Sequence, residues 1–252
     1  FTQIERVQPN SIFTLNLDTL EFSRLANVVN WDLVQHKENF SHWTHAFEQS
    51  IKKRTQNIRE KIFIGLSSGY DSGTIACELN KQGVDYTAFT VMGKEPPHIL
   101  EQRQTKNHYW IQPNQELVAE AHTWIWKNVE NFRYTISSSS SDYNEYWLDL
   151  QNDGGSMGMS IICSQAKPLD CKILLSGSGA DELFSDYGFR GHKIYPHSNF
   201  GGLFPDDLSS IFPWNSFYGS SMESYLAKEE YVAGSYGIET RYPFLDKHVV
   251  QE

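Results

Sequence analysis

Short apolar runs alternate along this chain with segments of helical periodicity. Residues 62–66 and 173–175 are short runs of mainly aliphatic side chains, and residues 86–92 have a similar strand-like composition. Runs of this length and composition are typical of strands that are buried on both faces. Because such strands occur in parallel sheets covered by helices, the pattern predicts an α/β fold.

Helical periodicity flanks the first of these runs. After it, Ile75, Ala76 and Leu79 recur at helical spacing, and Gly83 stands where a helix would end. Before it, five apolar residues predict a helix that covers the sheet: Phe40, Trp43, Phe47, Ile51 and Ile58. The expected order around this run is therefore helix, strand, turn and helix.

Composition and charge narrow the class of protein. The 252 residues are 39% hydrophobic and 14% aromatic, which is typical of a folded domain with one sizeable core. A formal net charge of −10 disfavours broad attraction to nucleic-acid phosphates. No apolar run approaches the roughly 20 residues that span a bilayer. The 3 cysteines form no C-x-x-C pair, which favours reduced thiols and a cytoplasmic location.

The most informative motif is Ser-Ser-Gly-Tyr-Asp-Ser at residues 67–72, between a predicted strand and a predicted helix. A Gly/Ser-rich turn at a helix N-terminus directs backbone N–H groups toward an anion. Asp71 would repel a bare phosphate, so its presence indicates a cation, Mg²⁺, between the carboxylate and the phosphate. No lysine follows the glycine, which disfavours a Walker-type NTPase. Taken alone, the motif favours a plain strand-to-helix connection, and the phosphate-binding interpretation depends on a second site.

A second turn that carries an acid follows the strand predicted at residues 173–175. Residues 176–184 begin with small side chains and contain Asp181. Turns that follow two strands of one parallel sheet lie at the carboxyl edge of that sheet, where ligands bind. We therefore expect Asp71 and Asp181 to flank one magnesium pyrophosphate. Gly177 and Gly179 match only half of a dinucleotide-binding fingerprint, so a Rossmann-type site is not favoured.

Three segments of the chain resemble the asparagine synthetase family. Residues 67–72 are similar to the S-G-G-x-D-S loop of ATP pyrophosphatases. Residues 176–184 resemble the family segment S-G-x-G-x-D-E-L-F, and residues 237–246 resemble G-hydrophobic-E-x-R-x-P-F-L-D. The resemblance covers roughly Trp31 to the end of the chain. It implies an adenine-nucleotide α-hydrolase-like fold, in which a parallel sheet has helices on both faces and a short β-hairpin precedes it.

The resemblance also implies an activity. Members of the family adenylate a carboxylate with ATP, and an amine or ammonia then displaces AMP to form an amide, with pyrophosphate as the other product. Aspartate is the default acid. β-Lactam synthetases and lasso-peptide cyclases share this scheme, so the resemblance does not name the carboxylate or the amine.

The cofactors that the resemblance implies, ATP and Mg²⁺, are assigned to particular residues. Asp71 and Asp181 are the expected magnesium ligands. Adenine is expected against the backbone of Val91 and Met92, and Gly177 is expected to approach the nucleotide. The complete expected nucleotide-binding set is Leu66, Ser67, Ser68, Gly69, Tyr70, Asp71, Ser72, Val91, Met92, Gly177 and Asp181.

Two positions depart from the family pattern. Ser68 replaces a glycine, so the loop must keep an ordinary backbone conformation there or accept strain. Ser178 stands where asparagine synthetases usually carry Glu and β-lactam synthetases usually carry Tyr, at the position that helps to orient or deprotonate the amine. A serine hydroxyl is a poor general base. The candidate catalytic residues are therefore Ser178 and three charged residues that are equally compatible with a solvated helix face, Glu223, Lys228 and Glu230.

The two ends of the chain carry further expectations. Residues 4–9 and the apolar residues after them predict strands of a hairpin. By resemblance, residues 1–31 form the end of an N-terminal glutaminase domain. Residues 32–252 form the ATP pyrophosphatase domain without its C-terminal part, which in relatives supplies a lysine.

The expected partners are a small-molecule carboxylate and an amine or ammonia, with no nucleic acid and no membrane. A glutaminase domain or a C-terminal segment supplied by another chain is also compatible with the sequence. Two other functions stay open. One is a tRNA-modifying ATP pyrophosphatase, which the acidic charge and the lack of paired cysteines disfavour. The other is a non-catalytic relative that binds nucleotide or a partner protein.

Overall fold

A five-stranded parallel sheet organises the computed structural model, which describes residues 7, 10–34, 37–131, 133–136, 146–194, 198–211 and 221–252. The strands are β1 (Ser11–Leu15), β2 (Phe22–Asn27), β3 (Lys61–Gly65), β4 (Tyr86–Val91), β5 (Asn107–Ile111), β6 (Arg133–Ile136), β7 (Tyr146–Asp149), β8 (Cys171–Leu175), β9 (Gly188–Phe189), β10 (His192–Lys193) and β11 (Glu239–Arg241). The helices are α1 (Ser41–Thr55), α2 (Tyr70–Lys81), α3 (Pro97–Gln102), α4 (Gln115–Asn128), α5 (Gly154–Ala166), α6 (Ser221–Ser235) and α7 (Lys247–Gln251).

The order of the strands creates a reversal in the middle of the main sheet. Its strands lie in the order β11-β8-β3-β4-β5, and every neighbouring pair is parallel. The chain therefore builds outward from β3 through β4 to β5, and then returns to the other side of β3 with β8 and β11. In open α/β sheets, the crevice at such a reversal, outside the carboxyl ends of the strands, is where ligands bind.

The central strands are buried on both faces, as their composition predicts. On one face, Ile62 and Ile64 of β3 belong to a core that includes apolar residues of α1 and α2. On the other face, Phe63 belongs to a core that includes apolar residues of α5 and α6. The rings of Phe63 and Phe89 meet edge to face at a centroid distance of 5.7 Å. The predicted α/β fold, with helices on both faces of a parallel sheet, is confirmed.

The helices around β3 agree with the periodicity, with one change of bounds. α2 ends at Lys81, and Gly83 follows with φ +67°. α1 covers the sheet as expected, but it begins after Phe40, whose side chain is 83% exposed. It also ends before Ile58, because Gln56 is extended and Asn57 has φ +58°. Within the described residues, none of the helices is both long and apolar enough to cross a membrane.

A separate antiparallel hairpin, β1 and β2, precedes the α/β domain. The rings of Phe13 and Phe22 stack across it at 4.7 Å, while Leu15 and Leu25 are exposed. A hairpin is therefore present at the alternating residues, and the strand that pairs with them, β2, follows them in the sequence. Residues 1–6, 8 and 9 lie outside the described residues. That the hairpin closes a glutaminase domain remains a prediction.

The buried aromatic pair between β3 and β4 allows a test of this core. Phe89 is 0% exposed. Phe89→Ala should lower the free energy of unfolding by about 3–5 kcal/mol, because it removes apolar contacts and leaves a cavity. Phe189→Ala is the matched control, since Phe189 is 62% exposed, and it should change stability by less than about 0.5 kcal/mol. Chemical denaturation of both variants measures the difference, and equal losses would contradict this placement of the core.

Candidate active site

The first loop of the site connects β3 to α2 and is closed by its own hydroxyl groups. The Ser67 N–H donates to Ser72 Oγ at 3.0 Å, and the two hydroxyl oxygens lie 3.0 Å apart. The Gly69 N–H donates to Ser67 Oγ at 3.1 Å. These short-range bonds fix the turn before any ligand binds. The loop is therefore preorganised at the N-terminus of α2, where the helix dipole favours an anion.

The backbone of this loop is unstrained at the position where the family pattern has glycine. Ser68 has a negative φ, and Gly69 has φ −68°. Both backbone polar groups of Leu66 are bonded to β4. Its N–H donates to the Phe89 carbonyl at 2.8 Å, and its carbonyl accepts from Thr90 Oγ1 at 2.6 Å. Serine is thus compatible with this turn, and its replacement of glycine carries no conformational penalty.

The second loop leaves β8 and enters a single π-helical turn at Asp181–Ser185. Gly179 has φ +104°, and a Cβ there would lie 2.5 Å from Leu245 Cδ2, so only glycine fits. The buried Glu182 carboxylate closes the loop by accepting bonds from the Gly179 N–H, at 2.8 Å, and from the Tyr187 hydroxyl. This loop therefore holds Asp181 in place through its neighbours.

The two loops meet at the reversal of the sheet. Asp71 and Asp181 line one cavity of about 210 Å³, and both also border a larger cavity of about 970 Å³. A Cβ on Gly177 would lie only 2.9 Å from the Asp71 Cβ, so the glycine allows this close approach. The smaller cavity is lined by Asp71, Gly177, Ser178, Asp181, Glu182, Tyr187, Tyr225, Lys228 and Glu229. The structure thus brings together the two carboxylates that lie far apart in the sequence.

The smaller cavity is strongly acidic. Burial raises the pKa of Asp71 to about 6, and the negative charges of Asp181 and Glu182 add to that increase. Burial also raises the pKa of Glu182, although its hydrogen bonds oppose the change. Lys228 is the only basic side chain among the described residues that line this cavity, and its ammonium lies 3.1 Å from the Asp153 carboxylate. A bound cation would relieve the repulsion between the carboxylates.

The donor set fits Mg²⁺ carried by a nucleotide better than a metal held by protein alone. Across the residues that the structure describes, no group of three or more His, Cys, Asp or Glu side chains forms a metal site. Two carboxylates are nevertheless sufficient for Mg²⁺ when phosphate oxygens and water complete its octahedral shell. Asp71 and Asp181 are the residues that would hold it.

A further carboxylate, that of the half-buried Glu229, also lines this cavity. Ser178 Oγ donates to Glu229 Oε1 at 2.9 Å. The second oxygen, Glu229 Oε2, is buried without a hydrogen-bond partner among the described residues. Burial raises the pKa of Glu229, whereas hydrogen bonds from Ser176 and Ser178 and the charge of Lys228 lower it. An acid is therefore close to the position where Ser178 replaces the residue usual in the family.

The sequence predicted Lys228 and Glu230 as candidate catalytic residues but not Glu229, which lies between them. Tyr225, Lys228 and Glu229 are spaced i, i+3 and i+4, so they share one face of α6, and all three line the cavity. Glu223 and Glu230 share a different face, and neither is among the described residues that line the two cavities. Glu230 is exposed and accepts a bond from the Tyr242 hydroxyl at 2.9 Å. The spacing places Glu229 on the same helix face as Lys228, but the sequence alone does not show which face of α6 meets the cavity.

The remaining predicted nucleotide contacts differ in their relation to the two cavities. Val91 ends β4 and Met92 follows it, both half-buried, and neither is among the lining residues of the two cavities. Tyr70 is 87% exposed and borders the larger cavity. The roles assigned to the individual site residues remain predictions.

The strand order, the Gly/Ser-rich turn and the acidic cavity define an α/β protein of the nucleotide-binding type. The family model described as asparagine synthase matches residues 42–211, which is more than half of the chain. The chain therefore belongs to the asparagine synthase family, a family of ATP-using ligases that form amides. The family and the strand order together confirm the adenine-nucleotide α-hydrolase-like fold that the three motifs imply.

Individual relatives are distant. A curated protein of Methanocaldococcus jannaschii, named as a glutamine-hydrolysing asparagine synthetase, is 22% identical over 255 residues and matches 99% of this chain. The chain spans 43% of the length of that relative. Among solved structures, the NAD⁺ synthetase of Burkholderia pseudomallei is similar with a TM-score of 0.35, 13% identity and 87% coverage of each chain. The NH₃-dependent NAD synthetase of Campylobacter jejuni has a TM-score of 0.33 and 14% identity, and covers 78% of this chain and 79% of its own.

The raised pKa of Asp71 predicts a pH-dependent effect on stability. Because its pKa in the folded protein, about 6, lies above the ordinary 3.8, ionisation of Asp71 destabilises the fold. That destabilisation is complete above the folded pKa and disappears as the pH falls to the ordinary value. Asp71→Asn, which stays neutral, should therefore raise the Tm at a pH of about 7.5 and should have little effect at about pH 4.

The control for this measurement is Asp85→Asn, at an exposed position before β4. Its thermal unfolding should follow the unsubstituted protein at both pH values. A Tm of Asp71→Asn that is unchanged at the higher pH would contradict the burial of Asp71 beside other negative charges.

Proposed function

We propose that the protein is an ATP-dependent, amide-forming ligase that binds ATP and Mg²⁺ at the reversal of its sheet. It adenylates a carboxylate and passes the acyl group to ammonia or an amine, releasing AMP and pyrophosphate. The observation that carries this proposal is the convergence of Asp71 and Asp181 beside a preorganised phosphate loop. Aspartate is the first acid to test, because the matched relative is named as an asparagine synthetase.

The loop between β3 and α2 is assigned to the pyrophosphate end of ATP. Its Gly/Ser-rich turn and the N-terminus of α2 favour an anion, and Asp71 stands in the first helical turn. When bound, Mg²⁺ supplies the charge that stabilises the leaving pyrophosphate. The protein's part is to hold the two carboxylates at one point, so that the cation and the phosphates are oriented together.

The part of the cavity that Ser178 and Glu229 line is assigned to the amine. An attacking amine must lose a proton as the amide forms, and a carboxylate with a raised pKa is suited to accept it. Glu229 fits this role because one of its oxygens is held by Ser178 and the other is buried without a partner among the described residues. Ser178 then orients Glu229, and the pair replaces the single residue that is usual at this place in the family.

A cytoplasmic location and the partners expected from the sequence belong to the same proposal. The match to the asparagine synthase family disfavours the tRNA-modifying alternative. A non-catalytic relative that only binds nucleotide is the remaining alternative, and the next experiment tests it.

Removal of either carboxylate should abolish adenylation. In Asp71→Ala and Asp181→Ala, the metal and the pyrophosphate lose a ligand, so ATP–pyrophosphate exchange that depends on the carboxylate substrate should fall to background. Asp85→Ala, which removes an exposed carboxylate away from the site, should retain exchange. Unchanged exchange in both site variants would reject the assignment. A protein that binds ATP but supports no exchange would instead be the non-catalytic relative.

Glu229→Gln should separate the two half-reactions. Glutamine keeps the shape of the side chain but accepts a proton poorly, so amide formation should fall by about a hundredfold or more while ATP–pyrophosphate exchange persists. Glu230→Gln is the matched control, since Glu230 is the next residue of α6 and faces solvent. Measuring both rates in both variants provides the test. Equal amide formation in Glu229→Gln and the unsubstituted protein would exclude Glu229 as the base.

A further inference from the structure

An arginine outside all three family-like segments lies directly against the phosphate loop. Arg103 follows α3, and its Nη2 atom donates to the carbonyl oxygens of Ser68, at 3.4 Å, and Gly69, at 3.3 Å. The guanidinium also covers Gly73 of α2, where a Cβ would lie only 2.4 Å from Arg103 Cζ. The absence of a side chain at Gly73 therefore allows Arg103 to reach the loop.

This guanidinium has no counter-ion within the described part of the chain. No carboxylate there lies within 4.0 Å of the Arg103 guanidinium. Several other lysine and arginine side chains do have a carboxylate within this distance. Arg103 is half-buried, and its Nε is buried without a hydrogen-bond partner among the described residues. A partly buried charge without a counter-ion is unfavourable. The chain has 31 acidic and 21 basic residues, so carboxylates are plentiful, yet none in the described part pairs with Arg103. This indicates that a ligand supplies the anion.

A second observation shows that the loop accepts an anionic oxygen. The Ser68 N–H donates to Glu95 Oε2 at 2.6 Å. This carboxylate oxygen stands in for the kind of oxygen that a phosphate would present. The loop therefore has a backbone donor bound to an anionic oxygen, and it is also in contact with a guanidinium that lacks a counter-ion among the described residues.

We propose that Arg103 binds the pyrophosphate portion of the nucleotide and acts as the protein's cation for the leaving group. This inference rests on the proposed function, because it places the pyrophosphate at the same loop. The contacts of Arg103 with the two carbonyls are long for bonds from a charged donor, so a phosphate oxygen would be a stronger partner. Arginine suits the role because its planar fork can hold two phosphate oxygens at once.

The charges of the site explain why such a residue is needed. Pyrophosphate is highly anionic, and Asp71 and Asp181 add negative charge beside it. The ammonium of Lys228 is already 3.1 Å from the Asp153 carboxylate. One divalent cation does not balance this charge, and Arg103 supplies a further positive charge in direct contact with the loop.

Calorimetric titration with two probes tests the proposal. Inorganic pyrophosphate with Mg²⁺ reports on the loop, and AMP reports on the rest of the nucleotide site. Arg103→Gln should weaken pyrophosphate binding by at least about tenfold and leave AMP binding within about twofold. Arg103→Lys should be intermediate, since it keeps the charge but loses the fork. Arg59→Gln, an equal change of charge at an exposed position before β3, should bind both probes normally.

A second variant keeps the test decisive if Arg103→Gln does not fold. Gly73→Ala leaves Arg103 in the chain but forces its guanidinium away from the loop, and alanine is favourable in a helix. It should show the same selective loss of pyrophosphate affinity. Unchanged pyrophosphate binding in a folded Arg103→Gln variant, or in Gly73→Ala when the first variant is unfolded, overturns the proposal. If the unsubstituted protein binds AMP but not pyrophosphate, this inference fails alone; if it binds neither, the proposed function fails with it.

Discussion

The site depends on one electrostatic constraint: two carboxylates are held close together in a partly buried cavity. Neighbouring strands β3 and β8 each end in a tight loop, and Gly177 allows those loops to approach until Asp71 and Asp181 line the same space. The raised pKa of Asp71 is the direct consequence of this burial and crowding. Carboxylates that are held together without a counter-ion favour the binding of a cation. A bound cation would in turn allow phosphates to bind beside these carboxylates.

The surrounding fold divides the chemistry between two walls. On one side, the N-terminus of α2 favours an anionic group, and Arg103 contacts the loop that precedes this helix. On the other side, Ser178 and Glu229 present a buried carboxylate that is suited to proton transfer. Gly179 and Glu182 hold the second loop rigidly between them. The two loops leave the carboxyl ends of neighbouring parallel strands, so Asp71, Asp181 and Ser178 all line one small cavity.

Much of the fold and the centre of the site followed from the sequence because they depend on local rules. A buried apolar run predicts a parallel strand, and parallel strands place their following turns together, so Asp71 and Asp181 could be paired in advance. Glu229 could not be distinguished from Glu230 without the rotation of α6, which tertiary packing sets. Arg103 was missed for a related reason: its contact with Gly69 depends on where α3 lies, and no local pattern encodes that position.

Anomalous diffraction from crystals grown with Mn²⁺ and pyrophosphate would show whether Asp71 and Asp181 share one cation, because Mn²⁺ replaces Mg²⁺ in oxygen-ligand sites and can be located independently of the protein. We expect one Mn²⁺ bound by the carboxylates of both Asp71 and Asp181, with pyrophosphate oxygens completing its shell at the loop before α2. A Mn²⁺ ion that contacts neither carboxylate, with pyrophosphate bound elsewhere on the protein, would contradict this expectation.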